Sequence, residues 1–151
     1  PEPDVIRAAL GGGVCAGPRI VDGGPRWVIA QLADVAQLEQ LKPDLAALAA
    51  YDTRHATTGL TVYATGGAGD ISVRTFAPAD GIAEDPVCGS GNGAVAAFRL
   101  DAGQVAAGDA YLASQGRQMG RDGRVLVRIA ADGIHVGGAC VTTISGGVLR
   151  L

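Results

Sequence analysis

From Ala94 to Leu100 the chain reads Ala-Val-Ala-Ala-Phe-Arg-Leu, apolar nearly all the way round a helix. Such a helix has no face to offer water and must be enclosed by other elements. The material available to enclose it is strand. Arg19 to Val21, Arg26 to Leu32, Gly59 to Ala64, Asp70 to Phe76, Ala110 to Gln115, Arg124 to Ala130, and Ile134 to Gly138 followed by Ala139 to Ile144 all read as short β runs. Glycine-bearing turns separate them, among them Asp22-Gly23-Gly24, Arg121-Asp122-Gly123, Ala131-Asp132-Gly133 and Ser145-Gly146-Gly147, and Thr65-Gly66-Gly67-Ala68-Gly69 closes a hairpin. Asp34 caps a helical stretch to about Leu41, and Pro43 opens another with Leu45, Leu48 and Ala49 on one face. The expected fold is α+β, an antiparallel or mixed β-sheet curled around one central α-helix. Within it Gly11-Gly12-Gly13 reads as a linker or strand kink, Trp27 as sheet packing or interface rather than a ligand platform, and the polar, glycine-broken stretch Gln115 to Arg121 as a β-bulge in preference to an approach to the ligand.

With 151 residues, 48% of them hydrophobic, the chain suffices for one domain, residues 1–151, with its own core. A net charge of −3 and the lack of a basic run interleaved with aromatics argue against nucleic acid and anionic membrane as partners. No apolar stretch approaches the roughly 20 residues needed to cross a bilayer, and no charged-then-apolar leader opens the sequence, so a cytoplasmic location is expected. Cys15, Cys88 and Cys140 form no closely spaced pair, and His55 and His135 stand without clustered ligands. Neither a disulfide framework, structural zinc nor another metal site is expected.

The chemistry concentrates just before the apolar helix, in Glu84-Asp85-Pro86-Val87-Cys88-Gly89-Ser90-Gly91-Asn92-Gly93. Pro86 restricts Asp85 to extended backbone and so holds its carboxylate in one orientation, which makes Asp85 the candidate proton carrier. Gly89, Gly91 and Gly93 are free to take positive φ and turn their N–H groups toward one point, and Ser90 or Asn92 can cap the helix. Helix N-terminal N–H groups favour an anion, so the expected ligand is a carboxylate, phosphate or oxyanion. Cys88, beside that helix end, is a second acid/base candidate through a lowered thiol pKa. No phosphate-loop lysine and no Ser-His-Asp order accompany the glycines, which sets aside phosphoryl transfer and serine hydrolysis.

These residues, with Phe76-Ala77-Pro78 and Gly81-Ile82 before them and Gln115-Gly116, Met119-Gly120-Arg121 and Val136-Gly137-Gly138 after them, resemble the signature of the PhzF-like isomerase family of phenazine biosynthesis. That family shares the diaminopimelate epimerase fold. Pro25-Arg26-Trp27 and Leu41-Lys42-Pro43-Asp44 are also similar, so the likeness covers nearly the whole chain, but it matches only the C-terminal one of two facing domains. The resemblance implies that Asp85 is the C-domain catalytic aspartate and that Gly89 and Ser90, with Gly91 and Asn92 of the same loop, hold the substrate. Cys88 falls where related epimerases have a catalytic cysteine and many PhzF-like members have threonine. The partner glutamate base belongs to the other domain, and none of Glu2, Glu39 and Glu84 takes its place.

The function expected is therefore half of a cofactor-independent isomerase that moves a proton on a small carboxylated metabolite and is inactive or weak alone. It is completed by an N-terminal-type domain or by a second copy in a homodimer. The alternatives are a non-catalytic small-anion-binding or interaction module of the same fold, and a cysteine-based racemase or epimerase.

Overall fold

A computed structural model describes residues 2–147, and the alternation along its central strands shows where the apolar residues go. In β2 (Arg26–Leu32), Trp27 and Ile29 face one core while Val28, Ala30 and Leu32 face another. β3 (Gly59–Thr65) sends Tyr63 to the first core and Leu60, Val62 and Ala64 to the second. Successive strand side chains point to opposite faces, so a strand buried on both reads as a continuous apolar run rather than as alternation.

The other strands are β1 (Val14–Asp22), β4 (Ile71–Ala77), β5 (Ile82–Asp85), β6 (Ala110–Gln115), β7 (Gly123–Ala130) and β8 (Gly133–Gly137). They form one mixed sheet in the order β1-β2-β3-β4-β6-β7-β8, with β5 also paired to β4. β2/β3 and β4/β6 are parallel and the remaining pairs antiparallel. The sheet curls around the apolar helix α4 (Gly89–Asp101), whose Ala94, Val95, Ala96 and Phe98 fill the inner core. The outer core lies under α1 (Pro3–Ala9), α2 (Val35–Gln40) and α3 (Leu45–His55), through Ile6, Leu38 and Leu48 among others. Asp34 and Asp44 cap α2 and α3 by accepting from the Gln37 and Ala47 N–H groups. Among the described residues no helix is long and apolar enough to cross a membrane.

Four expectations are corrected. α4 begins at Gly89 rather than Ala94, so the glycine segment is the helix's first turn and not a loop before it. Gln115 to Arg121 holds no bulge: β6 pairs with β7 in unbroken register to Gln115, and a short 3-10 turn, Arg117–Met119, follows. Ala139 to Ile144 is not a strand; residues 138–147 form no regular structure, and Val141 and Ile144 stand 88% and 90% exposed. Strand propensity there finds no neighbouring edge to pair with among the described residues. Finally, α1 occupies a segment from which no helix is anticipated, and Gly11 to Gly13, all at positive φ, link it to β1.

The outer layer holds one buried charge with a readable consequence. Asp52 of α3 is 2% exposed; its Oδ1 accepts from the Thr57 hydroxyl at 2.7 Å and its Oδ2 has no hydrogen-bond partner among the described residues. Burial raises its carboxyl pKa, the Thr57 bond opposes the rise, and the Asp80 charge adds to it. A carboxyl raised on folding binds its proton more tightly in the folded chain, so the ionised form weakens the fold as pH climbs through the folded pKa. Asp52→Asn keeps an acceptor for Thr57 and is expected to raise the melting temperature at pH 8 by about 2–4 °C, the response of a chain this size to about 1 kcal/mol. The gain should fade toward pH 4; melts showing no gain at pH 8 would contradict it.

Candidate active site

β4 is shared along one edge by two strands. Ile71 to Val73 pair with β6, whereas Thr75 and Ala77 pair with β5. The sheet therefore splits between Val73 and Thr75, and the ends of β5 at Asp85 and β6 at Gln115 lie on either side of the gap. Gln115 sutures it. Its Nε2 donates to the Asp85 carbonyl at 2.9 Å, and its Oε1 accepts from the Cys88 N–H at 3.2 Å and from Asn92 Nδ2 at 2.8 Å. Asn92 Nδ2 also reaches the Cys88 carbonyl at 2.8 Å. Gln115 and Asn92 are fully buried, at 1% and 0% exposure, so these bonds are shielded from water. The next residue, Gly116, has φ +86°, and a Cβ there would strike the Pro86 carbonyl oxygen, so β6 can lie flush against the signature only with glycine at this position.

The helix end is built differently from the sequence expectation. Neither Ser90 nor Asn92 is the cap: Cys88 is, its Sγ accepting from the Gly91 N–H at 3.3 Å. Gly89, Gly91 and Gly93 do not adopt positive φ, so they form no nest. Gly91 serves close packing instead. A Cβ on it would lie 2.7 Å from Thr61 Oγ1 and 3.2 Å from Thr75 Oγ1, the two hydroxyls that bond to each other on the inner face of β3 and β4. The Cys88 thiol pKa is raised rather than lowered, chiefly by burial; bonds from Ser90 and Gly91 oppose this, and the nearby Asp85 carboxylate reinforces it. A buried thiol beside an anion stays protonated.

What remains open is the first turn itself. Gly89 and Ser90 are exposed, and their backbone N–H groups find no hydrogen-bond partner among the described residues. The Ser90 hydroxyl accepts from the Trp27 indole N–H at 3.1 Å and lies 3.6 Å from Cys88 Sγ, so indole, hydroxyl and thiol are linked at the open helix end. Trp27 thus does more than pack the sheet, although it also sits in the inner core. Asp85, half-buried, accepts from the Val87 N–H at 2.9 Å through Oδ1, a turn that directs the carboxylate along the Pro86–Val87 segment. Two depressions meet at Gly89. One, about 450 Å³, lies between β1 and β8 over Ser90, Ala94 and Ala97; the other, about 620 Å³, runs past Val87 and Arg124 to Gly138.

The structure thus gathers Asp85, Cys88, Gly89, Ser90, Gly91 and Asn92 at one place, with Asp85 half-buried, Gly89 and Ser90 exposed and the other three buried. His55 is not part of it, being stacked on Tyr51 of α3 with ring centroids 4.2 Å apart. No cluster of three or more His, Cys, Asp or Glu side chains forms among the described residues. Gln115, part of the family-like signature, carries a structural role that sequence reasoning did not give it. Its signal was an amide closing the strand run Ala110 to Gln115 directly before a glycine.

Residues 14–146, which hold the curled sheet, its central helix and this site, match the family model described as phenazine biosynthesis-like protein. The chain belongs to the PhzC/PhzF family. An uncharacterized isomerase of Schizosaccharomyces pombe is 35% identical over 140 residues, covering 87% of this chain and 76% of that protein. An uncharacterized isomerase of Deinococcus radiodurans is 34% identical over 115 residues, covering 72% of this chain and 36% of that one. Among solved structures, a PhzF-family phenazine biosynthesis protein of Enterococcus faecalis superposes with TM-score 0.68 at 25% identity, over 90% of this chain and 47% of the other. The Bacillus anthracis PhzF-family protein gives TM-score 0.69 at 18% identity, over 89% and 51%, and shows the fold alone. The chain spans about half the length of these solved family members.

Proposed function

We propose that this chain is the C-terminal-type half of a cofactor-independent isomerase that moves a proton on a small carboxylated metabolite in the cytoplasm. The observation that carries the reading is the pairing of a pinned carboxylate, Asp85, with an open helix end at Gly89 and Ser90. The helix end would hold the substrate carboxylate through the two free N–H groups and the Ser90 hydroxyl, while Asp85 takes or returns the proton. The thiol direction at Cys88 speaks against the cysteine-based alternative, which needs a readily ionised sulfur.

A single carboxylate supplies one end of a proton path, so the isolated chain is expected to show little turnover, and an N-terminal-type domain bringing a second base is expected to restore it. Incorporation of solvent deuterium into a panel of small carboxylic acids, followed by mass spectrometry with and without that domain, tests the reading. Vigorous exchange by the isolated chain that survives loss of Asp85 would defeat it. The exposed first turn of α4 and the outward-facing Val141 and Ile144 are surface that such a domain, or a second copy of this chain about a two-fold axis, would cover. Sedimentation velocity is expected to show a dimer at tens of micromolar, and a clean monomer there would remove the second copy from the reading.

Anion binding is separable from chemistry. Calorimetry with sulfate and acetate is expected to show saturable binding that weakens when Ser90→Ala removes the donor. Equal binding by both proteins would take Ser90 out of the site.

A further inference from the structure

β5 is held to β4 at only two positions, Thr75↔Asp85 and Ala77↔Ile82, with a register shift between them. That is a slight support for the strand that ends in Asp85. A second support lies on the other face of the sheet. Thr75 points inward to α4, so Arg74 points outward, beside Phe76, and there it meets Glu84. Arg74 Nε and Nη2 donate to Glu84 Oε1 and Oε2 at 2.9 and 2.7 Å, a bidentate pair with side-chain exposures of only 7% and 15%. Arg74 Nη1 also donates to the Leu38 and Leu41 carbonyls, at 3.0 and 2.7 Å, where α2 ends. The guanidinium therefore ties β5 to β4 and to the helical layer at once. Its planar fork fixes the direction of the carboxylate as well as its distance.

We propose that the Arg74–Glu84 ion pair is a positioning device for the Asp85 carboxylate. Glu84 and Asp85 are adjacent on one strand and face opposite sides of the sheet, so anchoring the first on the outer face sets the rotation of the backbone that carries the second. Gln115 holds the Asp85 carbonyl on the downstream side. Arg74 and Glu84 hold the strand upstream and touch neither groove. The value of this clamp to catalysis rests on Asp85 being the proton carrier proposed above; the clamp itself does not.

The test needs no substrate. The Val87 amide donates to Asp85 Oδ1, so its hydrogen-exchange protection reports whether that carboxylate is held in place. In the double variant Arg74→Met/Glu84→Leu both charges leave together, which commonly preserves stability where removing one does not. The sheet amides of β3 and β4 are expected to keep their hydrogen-exchange protection while the Val87 amide loses most of its own. Arg74→Lys, which keeps a cation beside Glu84 but loses the planar fork, is read the same way and decides the matter should the double variant fail to fold. A folded variant with full Val87 protection overturns the proposal, as does loss of that protection in step with the whole sheet. Either failure leaves the proton-transfer reading standing, because that reading is judged by deuterium incorporation.

Discussion

Asp85→Asn is expected to lower deuterium incorporation by the paired protein by about 10²–10⁴-fold, the usual contribution of one placed acid or base. The geometry around the position should survive. Asparagine retains an Oδ1 to accept from the Val87 N–H, and the Gln115 contact is to the backbone carbonyl of residue 85, which the substitution does not touch. The charge does not survive, and that gives the loss a diagnostic shape. A carboxylate close to the start of α4 repels an anion bound there, so its removal should leave substrate affinity unchanged or tighter while turnover collapses. Rate constants should therefore show a fall in kcat with no rise in KM. The Cys88 thiol offers an internal check, because the Asp85 charge is one of the causes raising its pKa. In the asparagine variant, alkylation of Cys88 should set in at lower pH than in the parent, with exposed Cys15 and Cys140 as references. Unchanged exchange in Asp85→Asn would remove this residue from the mechanism, and a large rise in KM would make it a binding group instead.

The fold was legible because its strongest constraint was local. A helix that is apolar on every side, surrounded by short β runs, has few solutions, and the curled sheet around α4 is the one found. The position of Asp85 was legible for a similar reason, since proline acts on the residue before it whatever lies elsewhere in the chain. Other features depended on partners that sequence does not display. The glycines of the helix start were read through their freedom to take positive φ, yet Gly91 is there because Thr61 and Thr75, far away in sequence, leave no room for a side chain. Cys88 was read through the helix dipole, which lowers a thiol pKa, but burial outweighs that field in the folded chain. Ala139 to Ile144 carries β-favouring residues, and propensity without a neighbouring edge among the described residues does not make a strand. The Arg74–Glu84 pair and the role of Gln115 both follow from the split edge of β4, a property of topology rather than of any segment.

That split makes Gln115 the most exposed to failure of all the supporting residues. Gln115→Leu is expected to cost about 2–4 kcal/mol, because it leaves the Cys88 N–H and the Asp85 carbonyl without their side-chain partner in a dry site, at roughly 1–3 kcal/mol for each buried unpaired group. Asn92 softens the loss, since its amide keeps the Cys88 carbonyl. Urea unfolding should show the midpoint falling at constant slope, the signature of lost stability without a change in the surface exposed on unfolding. Glutamate at this position separates hydrogen bonding from shape. Gln115→Glu can still accept from Cys88 and Asn92 but, when ionised, cannot donate to the Asp85 carbonyl, so it should fold better at low pH, where the protonated acid recovers a donor. The sign follows from burial and from the Asp85 carbonyl, which faces one carboxyl oxygen and favours a proton there; where these outweigh the Cys88 and Asn92 donors the carboxyl binds its proton more tightly in the folded chain, so stability is lost as pH rises. A Leu variant within about 1 kcal/mol of the parent, below the cost of even one buried unpaired group, would mean that water enters the split and replaces the amide. In that case the two strands diverging from β4 are held by their own pairing, and Asp85 owes its orientation to Pro86 and the Glu84 side of the strand alone.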